Sequence, residues 1–235
     1  MRIATWNTQG SRGIDGVWST PRIASALRPL GADAICLQEL HQRTVARGGE
    51  DQPARIAELL GRHITFQPNV TYLIGAYGVG ILLREAPLEV RMHALPGRGE
   101  PRGALEVRIG AGFGRRRLIL FCTHWGLTGA ARREQGNALA AIVQQTSGPV
   151  VLCGDFNEEP DAPGVASLIE RCELQDVGGA ALTWPSDQPA ARIDLVLISK
   201  GLRAGPPELF GGRASDHLGV CVDVSRETAD AAGRL

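Results

Sequence analysis

Lysine is nearly absent from this chain: Lys200 is the single lysine among 25 basic residues, and the rest are arginines. Net charge is absent too, because 25 acidic residues offset the 25 basic ones. The overall balance therefore creates no field that would draw the chain onto polyphosphate or anionic lipid, and any such affinity has to be local. No run approaches the ~18 apolar residues of a membrane span. Arg2-Ile3-Ala4-Thr5-Trp6 follows Met1 without the apolar stretch of a secretory leader. These absences lead to the expectation of a cytoplasmic protein with no membrane partner. Cys-x-x-Cys and His-x-x-x-His spacings are missing as well, which argues against zinc. The five cysteines are odd in number and lack paired spacing, which disfavours a disulfide framework. Four of them, Cys36, Cys122, Cys153 and Cys221, lie in apolar runs where a free thiol acts as a small hydrophobe. No linker rich in Pro, Gly and Ser divides the chain, so residues 1–225 are expected to form one domain, with 226–235 as a loose tail.

What is present is a globular composition, 43% hydrophobic and 21% charged. Apolar runs recur at 2–6, 34–37, 79–83, 118–122, 150–153, 193–198 and 219–224. They are short and rich in Ile, Val, Leu and Cys, which predicts strands buried on both faces. Helical patterns fall at 20–30, 52–60, 129–145 and 163–172, with Pro21 and Pro163 where a first turn tolerates proline. Gly61 and Gly148 stand near the expected helix ends.

A rough repeat organises these elements. One strand ends in Trp6-Asn7, and after a loop and helix a buried strand ends in Gln38-Glu39. Another ends in Thr123-His124-Trp125, and after a loop and helix a buried strand ends in Gly154-Asp155-Phe156-Asn157. Each interval suits a strand–helix–strand unit of about 30 residues. Such a unit points both strands the same way, so the polar residues that close them emerge at one sheet edge, where ligands commonly bind. The expectation is two packed sheets with helices on their outer faces and a site at the shared edge.

Arg192-Ile193-Asp194 and Ser215-Asp216-His217 add two further polar clusters. If all of these converge, carboxylates ~4 Å apart repel by roughly 4 kcal/mol at an effective dielectric near 20, and a proton or a cation must be shared. The donors are oxygen-rich and contain no cysteine, which selects Mg²⁺ first, with Mn²⁺ or Ca²⁺ next.

In this order, Trp6-Asn7, Gln38-Glu39, Thr123-His124, Gly154-Asp155-Phe156-Asn157, Arg192-Ile193-Asp194 and Ser215-Asp216-His217 resemble the motifs of the endonuclease/exonuclease/phosphatase superfamily. The resemblance spans residue 3 to about residue 224. It implies a four-layer αββα sandwich of the DNase I-like kind, with two mixed β-sheets packed face to face and flanked by helices. It also implies Mg²⁺-dependent hydrolysis of phosphate esters, with Mn²⁺ as a substitute. In its terms Glu39, Asn7 and Asp216 hold or orient the metal. Asp155 aligns or deprotonates the attacking water, and Asn157 helps fix water and phosphate. His217 contacts the scissile phosphate with Asp194 as its carboxylate partner, and His124 resembles a second histidine found in several branches. Their two-residue spacing would put the Asp155 and Asn157 side chains on one side of an extended segment. Gln9 and Gly219 depart from the pattern, which leaves the metal count open.

Arg12, in the loop after Asn7, and Trp125 are candidate substrate-binding residues, and for Trp6 and Trp125 packing competes with base stacking. The segment 98–117 carries six arginines against two glutamates. It suits either a phosphate-backbone contact or a charged hairpin edge. The leading expectation is a monomeric, nuclease-type phosphodiesterase, with nucleic acid among its candidate partners. A phosphomonoesterase acting on a sugar, inositol or nucleotide phosphate is the alternative, and a catalytically silent binding module is the alternative of another class. A lipid phosphodiesterase ranks third among the enzymes, because it would carry an exposed apolar hairpin and none is evident in the sequence.

Overall fold

The computed structural model describes residues 1–110 and 117–227. The expected tail from 228 onward, and Arg115 and Arg116, lie outside the described residues, while Arg226 still belongs to the last strand. In chain order the first half contains β1 (Arg2–Asn7), α1 (Thr20–Leu27), β2 (Ala34–Gln42), α2 (Gln52–Leu60), β3 (His63–Thr71), β4 (Ala76–Leu83), β5 (Glu89–Leu95) and β6 (Arg102–Ile109). The second contains β7 (Leu118–His124), α3 (Gly129–Gln144), β8 (Val150–Asp155), α4 (Pro163–Cys172), β9 (Leu174–Asp176), β10 (Asp194–Ser199), β11 (Leu202–Ala204), β12 (Glu208–Phe210) and β13 (Gly219–Arg226).

These strands form two mixed sheets. The seven-stranded sheet runs β11-β13-β1-β2-β4-β3 with β12 beside β13, and the six-stranded sheet runs β5-β6-β7-β8-β10-β9. Only the two repeat units supply parallel pairs among the described strands: β1 with β2, and β7 with β8. Their registers end in Asn7 opposite Gln38 and His124 opposite Asp155, so both units deliver polar residues to one edge, as the repeat predicts.

Three apolar clusters make the layers. Ile3, Cys36, Val79 and Ile81 of the first sheet meet Leu105, Leu120, Cys153 and Val196 of the second, and this middle core also takes Cys122. The outer face of the second sheet packs Phe121, Leu152 and Leu197 against Leu139 and Val143 of α3 and Leu168 of α4. The outer face of the first packs Trp6, Ile35 and Leu37 against Ile23 and Leu27 of α1 and Ile56 of α2. Burial of all these side chains from both sides of each sheet is the main stabilising term.

The helices start where the sequence supplies caps. Ser19 accepts from the Arg22 amide at α1, Asp51 from Ala54 at α2, and Thr128 from Ala131 at α3. Gly61 ends α2 with φ +63°. Within the six-stranded sheet β7 and β8 approach closely beside the site: a Cβ on Gly154 would stand 2.2 Å from the carbonyl oxygen of Thr123.

Candidate active site

Four connections place the site. Asn7, Glu39, His124 and Asp155 lie at the C-terminal ends of the parallel pairs, and Asp194 opens antiparallel β10 directly opposite Asp155. Asp216 and His217 precede β13, and the Ser215 hydroxyl donates to the Asn7 carbonyl at 2.7 Å, tying their segment to β1. Glu39 is aimed by distortion. Its φ is +60°, a region costly for a non-glycine residue, and the β2–β4 register slips between Leu37 and Leu40. A bulge of this kind re-aims one side chain out of strand alternation.

Asp155 is the hub. Its Oδ2 accepts from Asn7 Nδ2 at 2.9 Å and lies 3.5 Å from Nε2 of His124 and 3.8 Å from Nε2 of His217. Its Oδ1 accepts the Asn157 amide at 2.9 Å. The Asn7 amide nitrogen also donates to Glu39 Oε1 at 3.0 Å, so one amide links two carboxylates, and its oxygen accepts from the Gln9 amide. Asn7 thus orients the acids. Burial and the neighbouring Asp194 carboxylate push Asp155 up to about 7. Burial, with Asp216 adding like charge, raises Glu39, while the Asn7 hydrogen bond opposes the rise.

The two histidines have opposite partners. Burial opposes charge on His217, but the Asp194 carboxylate 2.9 Å from Nδ1, with Asp155 and Asp216 beyond it, pushes the ring up to about 10. His217 is therefore an imidazolium near neutrality. Burial and the Arg102 cation hold His124 well below the ordinary value. Arg102 Nη1 stands 2.8 Å from Nδ1 of His124, and a guanidinium can only donate, so Nδ1 accepts and the proton sits on Nε2.

Two sequence readings are corrected here. Asn157 is not extended: at φ +52° it turns back, its amide binding Asp155 and its side-chain nitrogen donating to the Trp125 carbonyl at 2.8 Å. Trp125 is fully buried and packs edge-on against Phe156 at 4.8 Å, out of reach of any substrate. Trp6 is buried likewise and donates to the His217 carbonyl at 2.9 Å. In the basic segment Arg102 turns into the site and Arg108 lies 3.1 Å from Glu89 and 3.5 Å from Glu106, whereas Arg98 and Arg117 are exposed. Arg12 stays exposed, its guanidinium 5.6 Å from the Trp18 ring centroid.

Arg102 is the residue that sequence reasoning missed. No local pattern marked it, because β6 lacks a continuous apolar run, and only its place at the start of an internal strand opposite Leu95 shows that it is buried and needs a specific partner.

The donor chemistry fits a hard cation. Glu39, Asp155, Asp194 and Asp216 crowd about His217, and the buried Oδ1 of Asp194 has no hydrogen-bond partner. Ligand atoms of Asp155, Asp194 and His217 lie within 4.8 Å of one another, a group that could hold a metal ion. The Asp194–His217 hydrogen bond occupies one face of that trio, which leaves Glu39 and Asp216 as the freer oxygen donors.

Fold and site together define a phosphoesterase-type hydrolase, and comparison with known proteins agrees. The sequence pattern of the Endonuclease/Exonuclease/phosphatase family matches residues 4–217, and the chain belongs to that family. The uncharacterized protein YbhP of Escherichia coli K12 is 27% identical over 223 residues, covering 88% of this chain and 87% of that protein. Among solved structures, an endonuclease/exonuclease/phosphatase from Beutenbergia cavernae superposes with a TM-score of 0.78 at 23% identity, covering 99% of this chain and 73% of that one. The Bacteroides thetaiotaomicron mannosyl-6-phosphatase Bt3783 gives 0.74 at 17% identity, covering 96% and 99%.

Proposed function

We propose that this chain, acting as one domain over residues 1–225, hydrolyses phosphodiesters with the help of Mg²⁺, for which Mn²⁺ can substitute. The carrying observation is the set of contacts on Asp155: a carboxylate held by Asn7 and Asn157, lifted toward neutrality, and faced by one charged and one neutral imidazole. Glu39 and Asp216 would hold the cation, with Asn7 orienting Glu39. When bound, Mg²⁺ supplies positive charge to the phosphate oxygens.

The chain's own groups do the rest. Asp155 takes a proton from the attacking water, which suits a carboxylate titrating near neutrality. His217 donates from Nε2 to a non-bridging oxygen, and Asp194 keeps the ring charged and oriented. His124 donates from Nε2 as a neutral ring. Asn157 fixes the Asp155 carboxylate from behind.

A long polyanion such as nucleic acid needs a track of free cations. Arg102 and Arg108 are engaged internally while Arg98, Arg117 and Arg12 are exposed, so a nucleic acid and a compact diester both stand as substrates of this reading. A phosphomonoesterase remains the second reading, favoured by the same observation. The test is turnover of bis-p-nitrophenyl phosphate against p-nitrophenyl phosphate with Mg²⁺, Mn²⁺ or EDTA. Faster diester turnover, abolished by EDTA and by Asp155→Asn or His217→Ala with the fold retained, is expected. A faster monoester rate would overturn the diester assignment, and an Asp155→Asn variant with full activity would overturn the roles.

A further inference from the structure

The sequence promised no exposed apolar hairpin, but the structure contains one. The β3–β4 turn carries Tyr72, Leu73 and Ile74 at 46%, 103% and 59% exposure. Thr71 and Gln42 both pair with Ala76, so this tip stands at the C-terminal end of β2, on the site edge. Beside it, in the loop after β2, Val45 is exposed, and with His41, Thr44 and Ala46 these residues line a shallow pocket of about 390 Å³. Val17 and Trp18, in the loop after Asn7, continue the patch, because Arg47 of the Val45 loop lies 5.3 Å from the Trp18 ring centroid. Leu127, just past His124, and Trp184, whose ring centroid is 6.4 Å from that of His217, are exposed across the mouth.

The charges among these loops sort unevenly. Asp15 is paired with Arg22, Asp51 with Arg43, and Glu50 accepts from Thr20. Arg12 and Arg47 flank Trp18, and neither has a carboxylate within ion-pair distance among the described residues. Protruding apolar tips on separate loops, amphipathic Trp and Tyr rings, and two guanidiniums without carboxylate partners, Arg47 also meeting the His41 ring at 3.4 Å, match a lipid–water boundary, where acyl chains take the tips and anionic headgroups take the cations. No helix of the described residues is long and apolar enough to cross a membrane, so contact would be with the surface.

We propose that this rim docks the protein on an anionic phospholipid bilayer, placing headgroup phosphodiesters over the Asp155 site. The docking stands without the catalytic reading; only the choice of headgroup as substrate rests on it.

The test is co-sedimentation of the full chain with sucrose-loaded vesicles of phosphatidylcholine and phosphatidylglycerol at 3:1, alongside pure phosphatidylcholine. Sedimentation with the anionic vesicles is expected, reduced at least tenfold by Leu73→Glu/Ile74→Glu and reduced by Arg12→Gln/Arg47→Gln, with bis-p-nitrophenyl phosphate turnover unchanged in the apolar-tip variant. Wild-type protein left in the supernatant, or a Leu73→Glu/Ile74→Glu variant that sediments like wild type, would overturn the proposal. So would a concentration-dependent dimer in light scattering that the same variant dissolves, since the rim would then serve a second copy of the chain. Failure on the soluble diester by every protein would sink the phosphodiesterase reading and leave the vesicle result to stand by itself.

Discussion

Arg102→Met is the sharpest probe of the site, because it removes the guanidinium that faces His124 and leaves every acid in place. The Arg102 side chain is 6% exposed, its Nη1 donates to His124 across 2.8 Å, and its Nη2 lies 3.1 Å from Glu100. Methionine keeps much of the aliphatic stem that fills this space but removes the donor. A hydrogen bond to a charged group contributes about 1.5–3 kcal/mol. Without it the His124 ring loses its fixed tautomer and the cation that adds to burial in keeping it neutral. Deleting a donor to a developing oxyanion costs roughly 10²–10³ in kcat, and misorienting one should cost about 10- to 100-fold. Arg102→Lys retains charge without the planar fork and should fall between. The assay is kcat and KM on bis-p-nitrophenyl phosphate with Mg²⁺, paired with ¹⁵N spectra of the imidazoles. Loss in kcat with little change in KM, and a His124 that leaves the Nε2–H form, are expected. A methionine variant within threefold of wild-type kcat, or an unchanged tautomer, would refute the positioning role.

Other expectations follow from the same geometry. Turnover should rise with pH as Asp155 deprotonates, with the acid limb at about 7 and lower once a bound cation adds positive charge, and fall as His217 deprotonates at about 10. Asp194→Asn should pull the alkaline limb of the kcat–pH profile down, and a limb that stays put would refute the Asp194–His217 coupling. For stability the sign is that of a histidine raised by folding: the His217 contribution is complete below its unfolded value near 6.5 and disappears as pH rises through about 10, which urea midpoints at several pH values would show. Millimolar Mg²⁺ should raise the melting temperature by several degrees, since a ligand at 100 times its Kd stabilises by about 2.7 kcal/mol. Glu39→Gln should abolish that shift and, by removing a partly buried like charge beside Asp216, melt higher than wild type in EDTA. A metal shift retained in Glu39→Gln would place the cation elsewhere.

The strands buried on both faces were legible because their apolar runs are continuous: all seven runs became strands, and the two repeat units formed the parallel pairs. The strands the runs did not reveal failed to show for particular reasons. β3 and β5 are half-exposed flanking strands, and Pro68 interrupts the first. β6 is internal, but Arg102 and Glu106 break its apolar pattern. Those two charges are buried because each meets a histidine, Arg102 at His124 and Glu106 at His93 across 2.9 Å. Pairing across strands that are distant in sequence cannot be read from local periodicity. The polar strand ends marked the site, since one sheet edge collects whatever closes parallel strands. The environment of each group was not legible in the same way. His124 and His217 look alike in sequence, yet a guanidinium faces one and a carboxylate the other, so the fold sets one ring neutral and the other charged. In the proposed mechanism that division is what would let a single aspartate between them act as a base: a second imidazolium would hold Asp155 down and weaken its hold on a proton, whereas the neutral His124 leaves it near the pH at which water would be activated.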